Sequence, residues 1–200
     1  QAELSYAEKS VEGWTLKIDS RLAQPEVDAA PAILESQHKL IERAVPKVAL
    51  EDLRKVTLWF SPEYTGIQPR AEYHPGADWL KENGRNPAMA KGIEFTNLRI
   101  FEAENKRMPV FVLHELAHAY HDRVLGWSNP EILAAYQAAV KSGKYDKVKR
   151  RRGDDKPETE ERAYALTNAQ EYFAEGTEAF FGQNDFFPFT RMELRAHDPD

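Results

Sequence analysis

Two histidines and a glutamate lie in one short segment, His114-Glu115-Leu116-Ala117-His118, of this 200-residue chain. The segment falls within an apolar run that favours a helix from Pro109 to about Leu125, closed by Gly126. Positions four residues apart share one face of a helix, so both imidazoles can reach a single metal ion. The pattern predicts a zinc site, with Glu115 beside it as the base that takes a proton from a metal-bound water.

A hydrolytic zinc ion takes three protein ligands and keeps one position open, so a third donor must come from elsewhere. The chain has no cysteine, which leaves His, Asp and Glu as the strong ligands. The best source is a predicted helix from about Asn168 to Phe181, in which Glu171, Glu175 and Glu178 form a stripe beside an apolar one. One of Glu171 and Glu175 can bind zinc while the other hydrogen-bonds the outer nitrogen of a ligand histidine. The alternative is an ordinary solvated acidic face.

His121 falls near the same helix face, seven residues after His114. A ligand at this position would lie a full turn beyond the metal. We therefore expect His121 to support a ligand residue or to lie on the surface, and not to bind the ion.

The spacing around the two motifs resembles a known family. In Tyr164-Ala-Leu-Thr-Asn-Ala-Gln-Glu171-Tyr-Phe-Ala-Glu175, a tyrosine stands seven residues ahead of a glutamate. Together with His114 to His118, this is similar to gluzincin peptidases of the anthrax lethal factor type and to Pro-Pro endopeptidases. The resemblance covers about residues 110–181. It implies His114, His118 and Glu171 as zinc ligands, Glu115 as base, Tyr164 as a donor to the oxyanion, and Glu175 as the partner of a ligand histidine.

The expected architecture is α+β and zincin-like: a small mixed sheet with an edge strand over the zinc helix, followed by a mainly helical C-terminal half. Apolar–polar alternation predicts strands at 14–19, 56–60 and 93–101. The last of these alternates as an edge strand with one wet face would, and we expect it to pair with an extended substrate. Helical spacing predicts helices over 31–45 and 129–141, and the Gly- and Pro-rich residues 66–86 predict an ordered loop with a helical turn.

Residues 147–162 carry charges of both signs that nearly cancel, which predicts a solvated hairpin or loop. A partner-binding element is the alternative for this segment. The cluster Phe186-Phe187-Pro188-Phe189 is expected to dock the C-terminal tail onto the core.

The composition limits the function classes. A net charge of −6 argues against nucleic acid as a partner, and no apolar run is long enough to span a bilayer. The length fits a single domain over 1–200, with a strand-and-helix half at 1–106 and a helical half at 107–200. The chain begins at Gln1, which would suit a mature secreted or periplasmic protein, and we expect a monomer.

The sequence therefore predicts a zinc-dependent endopeptidase acting on peptide or protein substrates. Two alternatives remain open. One is a catalytically inactive binding module with the same fold, and the other is a zinc hydrolase that acts on a non-peptide amide or ester.

Overall fold

A small mixed sheet lies in the N-terminal half of the molecule. The structure is a computed structural model that describes residues 5–153 and 156–199. Within these residues the large sheet has the order β1-β2-β3-β5-β4, in which β2, β3 and β5 run parallel and the two edge strands run antiparallel to their neighbours. Its strands are β1 (Tyr6–Val11), β2 (Trp14–Asp19), β3 (Leu58–Phe60), β4 (Ala71–Tyr73) and β5 (Ile93–Phe95).

The predicted strand at 14–19 is confirmed, and the one at 56–60 is confirmed in shorter form as β3. The prediction of an edge strand over 93–101 is wrong in both extent and position. That strand ends at Phe95, is buried along its whole length and lies between β3 and β4. The edge strand beside β5 is β4, which lies inside the segment 66–86 that the sequence predicted as a loop.

The alternation around Glu94 suggested a wet face because the polar partners of this residue are distant in sequence. Glu94 is only 1 % exposed. Its carboxylate accepts hydrogen bonds from Arg85 at 3.0 Å and from Tyr64 at 2.7 Å, and it lies 2.9 Å from His74. Burial raises the pKa of Glu94, but the hydrogen bonds, above all that with His74, outweigh it and lower the pKa. A paired and buried carboxylate therefore takes the place of a solvated one.

Helices cover the sheet and make up most of the C-terminal half. Those of the first half are α1 (Gln24–Ala44), α2 (Lys47–Leu53), α3 (Ala77–Glu82) and α4 (Phe101–Arg107). Those that follow are α5 (Phe111–Tyr120), which continues into a π-helical turn (His121–Leu125), and α6 (Pro130–Ser142), α7 (Ala169–Phe181) and α8 (Arg191–His197). None of the helices among the described residues has the length and apolar character that crossing a bilayer requires.

The predicted start of the first long helix at Pro31 is wrong, because α1 begins seven residues earlier and holds Pro31 in its interior. A proline there removes one backbone hydrogen bond. The fully buried side chains of Ala30 and Leu34 pack into the core on either side of it, which favours continuing the helix. The predicted helices over the motif and at 129–141 and 168–181 are confirmed by α5, α6 and α7.

Two apolar clusters hold the described part of the chain together. The larger joins the sheet to α1, α2 and α5 and contains Trp14, Leu58, Phe95 and Leu116 among its members. The smaller lies in the C-terminal half around Tyr145, Leu166 and Phe186. The helix α5 packs against both the edge strand β4 and α7, so it lies where the two halves meet. The assignment of 1–200 to a single domain stays a prediction.

The charged segment forms a hairpin of β6 (Val148–Arg150) and β7 (Thr159–Glu161), as expected, although residues 154–155 lie outside the described ones. Its cations pair across the strands, for example Lys147 with Glu160 at 2.7 Å. The C-terminal aromatic cluster docks the tail as predicted, because Phe186 and Phe189 are buried and the ring of Phe187 lies 5.1 Å from that of His197.

Candidate metal centre

The helix α5 presents His114 and His118 on one face because its other faces are buried. Leu113, Leu116 and Ala117 pack into the protein, and this fixes the rotation of the helix about its axis. The side chains of the two histidines are 13 % and 11 % exposed, so they lie at the base of a depression and not on an open surface. The predicted metal pair is therefore placed as the spacing required.

Glu171 from α7 completes a triangle of donor atoms with the two rings. The Nε2 atoms of His114 and His118 are 3.1 Å apart, and Oε2 of Glu171 lies 3.0 Å from the first and 3.3 Å from the second. Ligands about 2.05 Å from a tetrahedral zinc ion would stand roughly 3.3 Å from one another. The three predicted ligands thus have the spacing that a single zinc ion requires, and they form a group that could hold a metal ion.

The start of α7 fixes the position of Glu171. The Asn168 side chain caps the helix by accepting a hydrogen bond from the backbone N–H of Glu171 at 2.8 Å. Burial raises the pKa of the Glu171 carboxyl, but its hydrogen bonds with His114 and His118 outweigh this effect and lower the pKa to about 2. The residue is therefore an ionised carboxylate at neutral pH, which is the form that binds a metal.

A second pair of carboxylates faces the other nitrogen of His114. Oε2 of Glu178 lies 3.3 Å from Nδ1, and Oε1 of Glu175 lies 3.7 Å from the same atom. The sequence predicted Glu175 for this role, and the structure adds Glu178, which is closer and fully buried. His114, Glu175 and Glu178 also lie close enough together to form a metal-binding group. This second group would use Nδ1 of His114 and not Nε2.

Burial affects both of these acids. Burial, strengthened by the charge of Glu178, raises the pKa of Glu175 to about 8. Glu175 therefore holds a proton at neutral pH, and it accepts a hydrogen bond from Asn184 at 3.0 Å. Burial also raises the pKa of Glu178, whereas its hydrogen bond with His114 acts in the opposite direction. Glu178 is the acid closer to Nδ1 of His114.

The carboxylates around His114 create a place for positive charge. Burial by itself lowers the pKa of His114, but the hydrogen bonds that its ring donates to Glu171 and Glu178 raise the pKa well above its ordinary value. A site of this kind holds a proton or a metal cation in preference to a neutral occupant.

The edge strand β4 holds the predicted base. The backbone N–H of Tyr73 donates a hydrogen bond to Oε2 of Glu115 at 2.8 Å. The strand that lies over α5 is therefore β4. An edge strand was expected at this position, but it was expected to come from residues 93–101. The sequence did not indicate this contact, since a backbone N–H carries no residue-type signal.

The predicted oxyanion donor lies at the rim of the site. Tyr164 begins a short 3-10 turn that ends at Leu166, its ring is 6.5 Å from that of His114, and it is 46 % exposed. Burial of its hydroxyl, together with the charge of Glu171, raises the pKa of Tyr164. The hydroxyl therefore keeps its proton at neutral pH and remains a donor.

His121 is buried and does not lie on the surface. Its ring packs between Trp127 and Phe173 at centroid distances of 4.8 and 5.1 Å. Neither ring nitrogen has a hydrogen-bond partner among the described residues. The surface alternative for His121 is wrong, and the residue contributes to packing beside the end of α5.

A cleft of about 260 Å³ opens over His114 and Glu115. Its described lining includes Ala71 of β4 and, from the C-terminal half, Tyr164 and Phe186. Asp185 also lines the cleft, and its Oδ2 accepts hydrogen bonds from Arg107 at 2.6 Å and from Arg150 at 3.2 Å. The hairpin β6–β7 therefore supplies part of the cleft through Arg150.

A larger apolar cavity of about 580 Å³ lies between α6, α7 and α8. Its described lining includes Glu175 but none of His114, His118 and Glu171. Of these two cavities, the smaller cleft is the one whose described lining includes His114 and Glu115. Comparisons of the chain with protein-family models, with curated proteins and with solved structures found no match, so the functional assignment rests on the geometry of these residues.

Proposed function

We propose that this chain is a zinc-dependent endopeptidase that hydrolyses peptide bonds in the cleft over α5. The observation that carries the proposal is the triangle formed by His114, His118 and Glu171, together with the cleft that His114 and Glu115 line. Two imidazoles and one carboxylate match the ligands of hydrolytic zinc sites, whereas calcium and magnesium prefer sites made of oxygen alone.

Zinc, when bound there, would act as a Lewis acid and lower the pKa of a coordinated water towards about 7. The residues of the chain supply the proton transfers. Glu115 accepts the proton of the attacking water and delivers it to the leaving amine. Because the Tyr73 N–H holds Oε2 of Glu115, its other oxygen is left to carry the proton.

Tyr164 supports the proposal as a donor to the developing oxyanion. Its hydroxyl keeps its proton, and the residue lines the cleft together with His114 and Glu115. A preorganised donor of this kind contributes about 3 kcal/mol to a hydrolytic reaction.

The edge of β4 is the proposed binding surface for the substrate backbone, in place of the strand at 93–101. Arg70 accepts a backbone hydrogen bond from Thr96, and His74 donates one to Gly92, so both residues face the neighbouring strand. Alternate residues of an antiparallel strand face opposite sides, so the N–H and C=O groups of Ala71 point away from β5. Ala71 lines the cleft, where an extended peptide can pair with these groups by strand addition.

The fold type follows from the same features. We propose a zincin-like arrangement, in which β4 is the edge strand over α5 and α7 supplies the third ligand. This arrangement agrees with the resemblance of residues 110–181 to gluzincins of the lethal factor type. A monomeric protein that acts outside the cytoplasm on peptides or proteins is the corresponding biological expectation.

The decisive experiment combines a peptide-library digest with two substitutions. Glu115→Gln should retain one equivalent of zinc and lose peptide hydrolysis, because the amide cannot accept the proton. Tyr164→Phe should retain zinc and lower kcat about 100-fold, the equivalent of ~3 kcal/mol. The zinc content would be measured by elemental analysis after removal of loosely bound metal.

Three outcomes would count against the proposal. Unchanged hydrolysis in both variants would refute the mechanism. A zinc-loaded protein that cleaves no library peptide but hydrolyses simple esters or amides would indicate the non-peptide hydrolase. A protein that hydrolyses none of these would indicate a binding module.

A further inference from the structure

Tyr73 connects the edge strand β4 to two points on the motif helix. Its backbone N–H donates to Oε2 of Glu115 at 2.8 Å, and its hydroxyl donates to Oδ2 of Asp122 at 2.7 Å. Asp122 follows Glu115 by seven residues, so the two acceptors lie about two turns apart on α5 and its π-helical extension. Tyr73 thus connects β4 to the helix at two points, Glu115 and Asp122.

The acceptor of the tyrosine hydroxyl is itself held in place. Lys91 donates to the same Oδ2 atom of Asp122 at 2.5 Å, and the Asp122 side chain is only 8 % exposed. Tyr73 is also buried, with 7 % of its surface exposed. A hydrogen bond to a charged acceptor is shorter and stronger than one between neutral groups, so the Asp122 carboxylate holds the Tyr73 hydroxyl in place.

The backbone of Lys91 is locally strained at the point where its side chain contacts Asp122. Its φ of +62° lies in the left-handed region, which a residue with a side chain adopts at a cost of about 1 kcal/mol. In this conformation its N–H donates to the carbonyl of His74 at 2.7 Å, while its ammonium group reaches Asp122. The turn at Lys91 therefore joins the end of β4 to the end of the motif helix.

We propose that Tyr73 is a positioning residue for the peptidase reaction, acting through the chain Lys91–Asp122–Tyr73 to hold the Glu115 carboxylate at its place in the cleft. The inference rests on the proposed function, since it assigns Tyr73 a role in that reaction. The hydroxyl does not touch the substrate. It sets the separation between β4 and α5, and that separation determines where the Tyr73 N–H meets Glu115.

The expected effect follows from the length of the Glu115 side chain. A glutamate with no fixed partner samples several rotamers, and only those near the attacking water support proton transfer. Displacements of about 1 Å at such a group cost up to about 100-fold in rate. Strand β4 stays paired to β5 through the backbone of Arg70 and His74, so Ala71 should keep its place and the loss should fall on kcat and not on KM.

The test compares two matched removals of a tyrosine hydroxyl. Tyr73→Phe keeps the ring and the backbone N–H but removes the hydrogen bond to Asp122. Tyr145→Phe removes a similar buried hydrogen bond, from the Tyr145 hydroxyl to Asp198 at 2.9 Å, away from the cleft. We expect kcat to fall about tenfold in Tyr73→Phe with KM changed less than threefold and zinc content unchanged. In Tyr145→Phe, kcat should match the parent protein.

A double-mutant comparison separates positioning from a general loss of stability. Asp122→Ala should lower kcat as much as Tyr73→Phe, and the two together should lower it no further, because both break the same connection. Additive losses, or equal losses in Tyr73→Phe and Tyr145→Phe, would overturn the inference. So would an unchanged kcat in Tyr73→Phe.

Amide hydrogen exchange gives a readout that does not depend on activity. The backbone amide at position 73 should exchange faster in Tyr73→Phe than in the parent protein, and at the parental rate in Tyr145→Phe. If the parent protein cleaves no peptide, the proposed function fails, while the exchange rates still decide whether the hydroxyl holds the strand. If the parent protein is active and both its kcat and its exchange survive Tyr73→Phe, the positioning role alone fails.

Discussion

Replacing Glu178 by glutamine tests how the environment of His114 controls the metal. The carboxylate of Glu178 is fully buried and lies 3.3 Å from Nδ1 of His114. In the proposed zinc-bound form, Nδ1 would carry the proton and donate a hydrogen bond to this carboxylate, which would make Nε2 a better metal ligand. The amide of glutamine keeps the size of the side chain and replaces the carboxylate acceptor by a neutral group.

The magnitude follows from the geometry. Loss of such a partner lowers metal affinity by about 10- to 100-fold. Full burial favours the upper end of that range, whereas 3.3 Å is longer than an ideal charge-assisted hydrogen bond of about 2.8 Å and favours the lower end. We expect zinc affinity to fall about 30-fold in Glu178→Gln, which corresponds to ~2 kcal/mol.

Glu175→Gln is the matched control, one turn away on α7. Glu175 already holds a proton at pH 7, because its pKa is raised to about 8 by burial and by Glu178. An amide is close in shape and charge to a protonated carboxyl, and it can still accept the hydrogen bond from Asn184. Glu175→Gln should therefore change zinc affinity by less than about threefold at pH 7.

The assay is competition for zinc with a chromophoric chelator at pH 7. Thermal unfolding of each metal-free variant would show that the proteins compared are folded. Equal losses in Glu178→Gln and Glu175→Gln would refute the distinction between Glu178, the nearer acceptor for His114, and the protonated Glu175. Parental affinity in Glu178→Gln would refute the role of its carboxylate.

Two further predictions concern stability. His38 is buried against Trp14, and burial lowers its pKa to about 3, so protonation is easier in the unfolded chain. The free energy of unfolding should therefore fall as pH drops from about 6.5 towards 3, by at most ~1.4 kcal/mol per pH unit. In chemical denaturation, His38→Leu should flatten this dependence on pH. Gly182→Ala should lower the free energy of unfolding by about 1–3 kcal/mol, because the new Cβ would lie 2.6 Å from Val110. Gly176→Ala, which has open space around it inside α7, should raise the free energy of unfolding by about 1 kcal/mol. If both substitutions changed the free energy of unfolding in the same direction, packing at Gly182 would not be limiting.

The parts of the site that the sequence predicted depend on local periodicity. His114 and His118 are four residues apart on one helix, so residue spacing alone places these two side chains together. The spacing left both Glu171 and Glu175 as possible third ligands, and the family resemblance selected Glu171. Glu171 and Glu178 both reach His114 through the packing of α5 against α7, which local periodicity does not reveal.

The edge strand shows the same limit. A three-residue strand such as β4 is too short for an alternation pattern to reveal. The apparent wet face of β5 came from Glu94, whose partners Arg85 and His74 precede it by nine and twenty residues. A charged residue is expected to be exposed unless partners in the folded protein compensate its burial. The sequence alone did not show that Glu94 has such partners.

The Asp185 carboxylate joins two segments that are distant in sequence. It is 3 % exposed and accepts hydrogen bonds from Arg107, in α4, and from Arg150, in β6. Removing one partner of a buried ion pair costs about 3–5 kcal/mol. The charged hairpin is therefore fastened to α4 beside the cleft, so a change in the hairpin would also alter the lining of the cleft.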